Sequence, residues 1–151
     1  MGSERSVSKG FTLIEVLLAV TLVGILATSV VLAISPEKQL MSARNSQRQS
    51  DVTGIMQILQ YYAADHAGGL PIQITPTPGY ICRTGVSVND CAGLVDLRIL
   101  TDQHAYVYAW PVDPTASTTV STGYLVSKDV NGTVFVTAPG AEGGVTIMRA
   151  Q

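Results

Sequence analysis

The chain has 151 residues, 46% of them hydrophobic and only 13% charged, with a formal net charge of -2. A balance this close to neutral, with only scattered arginines, excludes the concentrated positive face that phosphate-driven nucleic-acid binding needs, unless many copies build one along a polymer. The charge deficit points to a membrane segment together with Ser/Thr/Gly-rich β structure.

In chain order, residues 1–10 form a polar leader with Arg5 and Lys9 as its cations. Positive charge beside an apolar run predicts that this end stays in the cytoplasm. Residues 11–34 are almost unbroken in their apolar character; as a helix they rise ~36 Å, enough for a hydrocarbon core of about 30 Å. Thr12, Thr21, Thr28 and Ser29 are expected to return their hydroxyls to helix carbonyls. Gly24 is a weak point in that helix. Glu15 is the one acidic group in the run, and a carboxylate in hydrocarbon calls for a partner.

Ser35-Pro36-Glu37 is a helix-start signature: an N-cap residue, proline in the first turn, and an acid near the positive end of the dipole. Directly after a membrane run, it predicts a helix that kinks and resumes at Pro36. Val52, Ile55, Met56, Leu59, Tyr62 and Ala63 then recur on one helical stripe, while Ile58 and Tyr61 lie off it. Either a second apolar face packs against a neighbour, or the core stripe is wide. Gly68-Gly69, followed by Pro71, is expected to end the helix.

The remainder, residues 68–151, reads as a small antiparallel β domain entered through the Pro/Thr-rich loop at 75–79. Cys82 and Cys91 fall in a loop-like stretch. A disulfide is the expected state outside the cytoplasm, with a bound metal or two free thiols as the alternatives. Residues 94–100 fit a short helix or a strand, residues 106–110 alternate weakly, and residues 115–122 read as an exposed Ser/Thr loop. Two β-prone runs, 123–127 and 133–138, flank Lys128-Asp129-Val130-Asn131-Gly132 as a hairpin with an Asn-Gly turn. Residues 145–148 supply one more strand.

Catalytic signatures are sparse. His66 and His104 are the only imidazoles, and no nucleophile elbow, His-Glu-x-x-His pair or phosphate loop occurs. We therefore expect no enzyme activity, no cofactor and no metal. Asp113, Asp129 and Asn131 sit in β-domain loops, where oxygen ligands can hold calcium, but turn chemistry accounts for them better. Asn131-Gly132-Thr133 also fits an N-glycosylation pattern, and the tight turn again explains it more simply.

Three readings remain for the apolar run. A cleaved secretory signal ending at Ala33-Ile34-Ser35 would place Pro36 directly after the cut. A plain single-pass anchor leaves Glu15 and the Gly10-Phe11 junction unexplained. The third is a resemblance: Lys9-Gly10-Phe11-Thr12-Leu13-Ile14-Glu15-Val16 is similar to the processing site of type IV pilins and pseudopilins.

The resemblance covers residues 8–34 and, more loosely, the helix to Tyr62 and a small sheet. It implies an α+β fold in which one long N-terminal helix packs its second half on an antiparallel sheet of three or four strands. Its segments are a leader (1–10), a membrane-spanning or filament-core half-helix (11–34), an amphipathic half (35–67) and an extracytoplasmic β domain (68–151). It further implies cleavage between Gly10 and Phe11 by the prepilin peptidase, N-methylation of Phe11, and an assembly role for Glu15 against the N-terminal amine of a neighbour. Gly24 and Pro36 correspond to points between which the helix loosens. The implied partners are copies of itself, the peptidase, the membrane, and an assembly platform with its ATPase. The product would be a pilus or a type II secretion or competence pseudopilus, extracellular or periplasmic. The alternative is a membrane-anchored extracytoplasmic binding domain that does not polymerise. The mid-chain position of Cys82 and Cys91 departs from the C-terminal disulfide loop common in the family.

Overall fold

A computed structural model describes residues 10–33 and 35–151. The chain divides after Gln39 into two compact units. In the first, helix α1 spans Leu13–Ala33, 21 residues with none of its described side chains buried. At 1.5 Å per residue it is about 31 Å long. Its stretch Leu13–Val30 is long and apolar enough to cross a membrane.

Thr21, Thr28 and Ser29 donate to the carbonyls of Leu18 (2.9 Å), Ile25 (2.9 Å) and Ile25 (2.7 Å), which hides each hydroxyl against its own helix. Thr12 departs from that expectation. Its hydroxyl accepts from the Glu15 amide at 3.3 Å, and its carbonyl accepts from the Val16 amide at 3.3 Å. Thr12 is thus the N-cap, and Glu15 stands three residues inside, the spacing of a capping box. Helix α2 begins at Pro36 and runs to Asp65, with the Gln39 amide bonded to the Ser35 carbonyl at 3.4 Å. Proline fits that first position because its missing N–H has no helical partner there.

The second unit, residues 40–151, holds the rest of α2 and a four-stranded antiparallel sheet in the order β1-β2-β3-β4: Gly79–Cys82, Ser121–Lys128, Val134–Ala138 and Ile147–Ala150. Long apolar helix, second helix and antiparallel sheet together make the α+β, pilin-like arrangement. Val52, Ile55, Met56, Leu59 and Tyr62 of α2 join one buried cluster with Tyr124, Val126, Val134, Val136, Ala138 and Ile147 of the sheet. Alternation along β2 and β3 sends those sheet residues to a single face. Ile58 is half-buried at the edge of this core, whereas Tyr61 is exposed, so only Ile58 belongs to a widened stripe.

Several strand boundaries differ from expectation. β1 lies where a loop was expected, and β2 begins inside the Ser/Thr run, at Ser121. Thr122 is fully buried there because its hydroxyl donates to the Ile81 carbonyl at 3.1 Å and accepts from the Tyr124 amide at 3.2 Å. Satisfied this way, a polar residue is tolerated inside. Val95 bridges Ile81 as an isolated parallel contact, and a short helix α3 follows at Arg98–Thr101. Residues 106–110 form no strand, although Trp110 is buried. The last strand starts at Ile147, two residues later than expected. The β2–β3 connection is a wider loop than an Asn-Gly two-residue turn: the Asp129 carboxylate accepts the Asn131 and Thr133 amides, both at 2.8 Å. A tight turn is still present within that loop, since the Gly132 amide donates to the Asp129 carbonyl at 3.2 Å and Gly132 has φ +89°, and the acid adds a local cap to it.

Gly123 has φ +87°, and a Cβ there would lie 2.8 Å from the Asp113 Cβ. Gly123→Ala should lower stability by about 1–3 kcal/mol, through left-handed strain and crowding. Gly54, inside α2 with open space around it, should gain about 0.5–1 kcal/mol on change to alanine. Urea unfolding of the full chain in detergent micelles, followed by near-UV circular dichroism, checks both signs.

Candidate processing and assembly site

The start of α1 brings four residues together in sequence and in space. Gly10 and Phe11 precede the helix in irregular backbone, and Phe11 is 81% exposed. No Cβ at Gly10 would meet another atom within 4 Å, so the scaffold does not crowd this junction. A peptide bond in irregular, exposed chain can enter a protease groove, whereas a helical one must first unwind. Thr12 fixes where the helix begins and therefore how much extended chain precedes it.

Glu15, exposed in the first turn, lies near the positive end of the helix dipole, where a carboxylate is favoured by about 0.3–1 kcal/mol. This is the within-chain reason for an acid at this position. It places a negative charge one helical turn from Phe11, on the end of the helix that carries the Gly10-Phe11 junction.

Gly24 lies inside an unbroken α1, and a Cβ there would meet nothing within 4 Å. Among the described residues, its small size therefore serves no packing. Cys82 and Cys91 are joined by a disulfide with Cα atoms 5.6 Å apart, which fastens the end of β1 to the short 3₁₀ turn Asn89–Cys91.

Each histidine stacks on a tyrosine. His66 is exposed and stacks on Tyr62 at a centroid distance of 3.9 Å, with its Nδ1 2.9 Å from the Tyr62 carbonyl. His104 is exposed and stacks on Tyr108. Neither meets a nucleophile, and among the described residues no group of three His, Cys, Asp or Glu side chains is placed to hold a metal ion.

Asp113 has a different role from either calcium binding or turn formation alone. Arg48 of α2 is fully buried, and its Nε and Nη2 donate to the two Asp113 carboxylate oxygens at 2.7 and 3.1 Å. Its remaining donors reach Thr115 Oγ1 (2.8 Å), Asn45 Oδ1 (2.9 Å) and Glu142 Oε2 (3.0 Å). Arg44 meets the same Glu142 in a two-pronged pair, both contacts at 2.6 Å. Asn45 closes the set by donating to the Glu142 carbonyl and accepting its amide, at 2.8 and 3.0 Å.

A buried guanidinium is tolerated only when its donors are paired in this way. Asp113 is desolvated, which opposes ionisation, yet the hydrogen bonds from Arg48 and Thr115 outweigh burial and hold its carboxyl below the usual range. Arg44 and then Arg48 pull Glu142 down to about 2. Tyr124 is pushed upward, first by burial and then by its 2.6 Å bond to the Asp51 carboxylate. The sequence reading missed this network. Its one legible trace was Arg44, Asn45, Arg48 and Asp51 recurring along one side of α2, ahead of its apolar stripe.

Compared with known families, residues 5–34 match the family model described as the prokaryotic N-terminal methylation motif. This is the class III signal of type IV pilins and pseudopilins. It supports a type IV pilin-like or pseudopilin precursor; subunits carrying this signal are in general processed by prepilin peptidase and polymerised. No curated protein and no solved structure matched the chain.

Removing one partner from the buried cluster strands the other. Arg48→Met should lower stability by about 3–5 kcal/mol, and Arg48→Met combined with Asp113→Leu by less than Arg48→Met alone, in a double-mutant cycle from urea unfolding. The acid response follows from the lowered carboxyls. Glu142 titrates near 2 in the folded chain instead of its usual 4.5. Its contribution is therefore complete above about pH 4.5 and disappears as pH falls through about 2. Melting temperature should stay flat from neutral pH to about pH 5 and fall below it, and Glu142→Gln should flatten that acid slope.

Proposed function

We propose that the chain is a structural subunit of a type IV pilus or of a type II secretion or competence pseudopilus. The observation that supports this best is the methylation motif set on a capped apolar helix: an exposed Gly10-Phe11 junction, Thr12 as N-cap, and Glu15 one turn inside. Cleavage between Gly10 and Phe11 creates a new ammonium beside the helix's positive end. That terminus carries unfavourable charge until a carboxylate approaches it.

Within one chain Glu15 offsets this partly. In a polymer, the Glu15 of a neighbour meets the Phe11 ammonium in surroundings of low dielectric. Pairing then relieves the penalty of a carboxylate in lipid, on the order of 3 kcal/mol at the bilayer centre, and fixes axial register. Phe11 is N-methylated after the cut. The N-terminus faces the cytoplasm before assembly, and residues 40–151 lie on the outer side. A heterologous contact repeated along α1 generates a helical filament, because head-to-tail contacts that do not close extend indefinitely. Gly24 and Pro36 are the points where the helix yields during packing. An assembly platform and its ATPase drive extraction from the membrane, and nucleic acid meets only the finished polymer.

Mass spectrometry of the mature protein tests the reading: the expected N-terminus is methylated Phe11, and an intact Met1 in cells containing the peptidase would sink it. Glu15→Val should leave cleavage intact while lowering incorporation into filaments about tenfold or more, as loss of one buried pairing implies. Sheared-filament yield against total membrane-bound subunit measures this, and wild-type yield would remove the assembly role of Glu15.

A further inference from the structure

A four-stranded antiparallel meander has two edges, and here they differ. On β1, the outward-facing groups are occupied: the Val95 amide donates to the Tyr80 carbonyl at 2.8 Å, and the Cys82 amide donates to the Val95 carbonyl at 2.9 Å. Val95 lies four residues beyond Cys91, which the disulfide fastens to Cys82 on β1 itself. The segment that covers the β1 edge is thus pinned to that edge covalently.

On β4, by contrast, no described segment pairs with the outer side. Val134 and Gln151 exchange both of their backbone bonds, at 2.6 and 3.0 Å. Alternation from that pair, through the register Phe135↔Ala150, Val136↔Arg149 and Thr137↔Met148, turns the N–H and C=O groups of Ala150 and Met148 away from β3. This open edge has no proline and no bulge, and Arg149 is its single charge, so it lacks most of the usual safeguards against pairing.

We propose that the Cys82–Cys91 disulfide seals β1 against the β4 edge of a second copy of this chain. The two edges match in length and direction, while β1 carries a register irregularity between Tyr80 and Cys82 that β4 lacks. Each strand is four residues long, and the strand directions alternate through the meander, so β4 of one copy would lie antiparallel to β1 of the next. With β1 open, the same contact repeats head to tail and extends a continuous sheet, a heterologous polymer of the kind that does not close. With β1 sealed, like edges alone remain, and β4 against β4 closes as a two-fold pair. The disulfide therefore blocks a polymer built through the sheet, independently of any association through α1. It does so by holding one residue, Val95, in hydrogen-bonding reach.

The test uses the full chain in detergent micelles, with the disulfide-bonded wild type as the size reference. Cys82→Ala/Cys91→Ala should raise amide exchange at positions 82 and 95 by about 100-fold, the scale of the lost loop closure. It should also produce β-rich oligomers in sedimentation velocity. Adding Ala150→Pro removes an outward amide while sparing the β3 ladder, and it should abolish the oligomers, leaving a species no larger than the wild type. Val95→Pro keeps the disulfide but removes the bond to Tyr80. It should give the same oligomers, with the same suppression by Ala150→Pro, even if the cysteine variant fails to fold. Wild-type size for Val95→Pro, or oligomers that persist with Ala150→Pro in either background, overturns the proposal.

Discussion

The buried guanidinium of Arg48 is the interaction on which the 40–151 unit depends. An arginine enters a core only when its donors are met, and this one is met from two loops far apart in sequence. Asp113 and Thr115 precede β2, and Glu142 follows β3. By satisfying one side chain, both loops are fixed to the same part of α2, and the sheet between them is held with its apolar face toward Val52, Ile55 and Leu59. The space around Asp113 is correspondingly tight, since a Cβ at Gly140 would lie 2.9 Å from its Oδ2. The hydrophobic cluster supplies most of the driving force. The ion cluster is directional and selects one arrangement of the connecting loops.

The α1 helix obeys the opposite constraint. Its described side chains are all exposed, and its hydroxyls are folded back on its own carbonyls, leaving an apolar rod for a lipid or protein environment. Such a rod is soluble in nothing aqueous, and the same surface that suits hydrocarbon also suits close packing among copies. The Gly10-Phe11 junction sits at the end where backbone donors are unsatisfied and charge matters, which is why Thr12 and Glu15 both fall there. Chemistry and geometry coincide at residues 10–15, while the rest of α1 is nearly featureless.

The two parts also assemble by different physics. In the proposed filament, association through α1 would be driven by apolar surface and guided by a single ion pair. The sheet carries its own capacity for association in its backbone edges, and the disulfide restrains one of them. If the chain polymerises as proposed, its sheets stand at high local concentration and such a restraint matters, because backbone pairing is indifferent to sequence.

Much was legible from sequence. The apolar run, the basic-Gly-Phe junction and Glu15 at its fixed spacing depend only on local order, and they carried both the membrane reading and the motif. The helical stripe from Val52 to Tyr62 and the β2–β3 pair were equally readable, since periodicity survives without knowledge of neighbours. The partner of Arg48 was not readable. Asp113 looked like a turn acid because its short-range hydrogen bonds to Thr115 are real, and the long-range bond to α2 leaves no mark in its own neighbourhood. Thr122 likewise looked exposed because its burial depends on a carbonyl 41 residues away. Thr12 was misjudged for a smaller reason, as a threonine caps or back-bonds according to whether the helix has already begun. Local order determined what each segment could be. Which polar groups would be buried, and which sheet edge would be covered, was decided only when distant segments met.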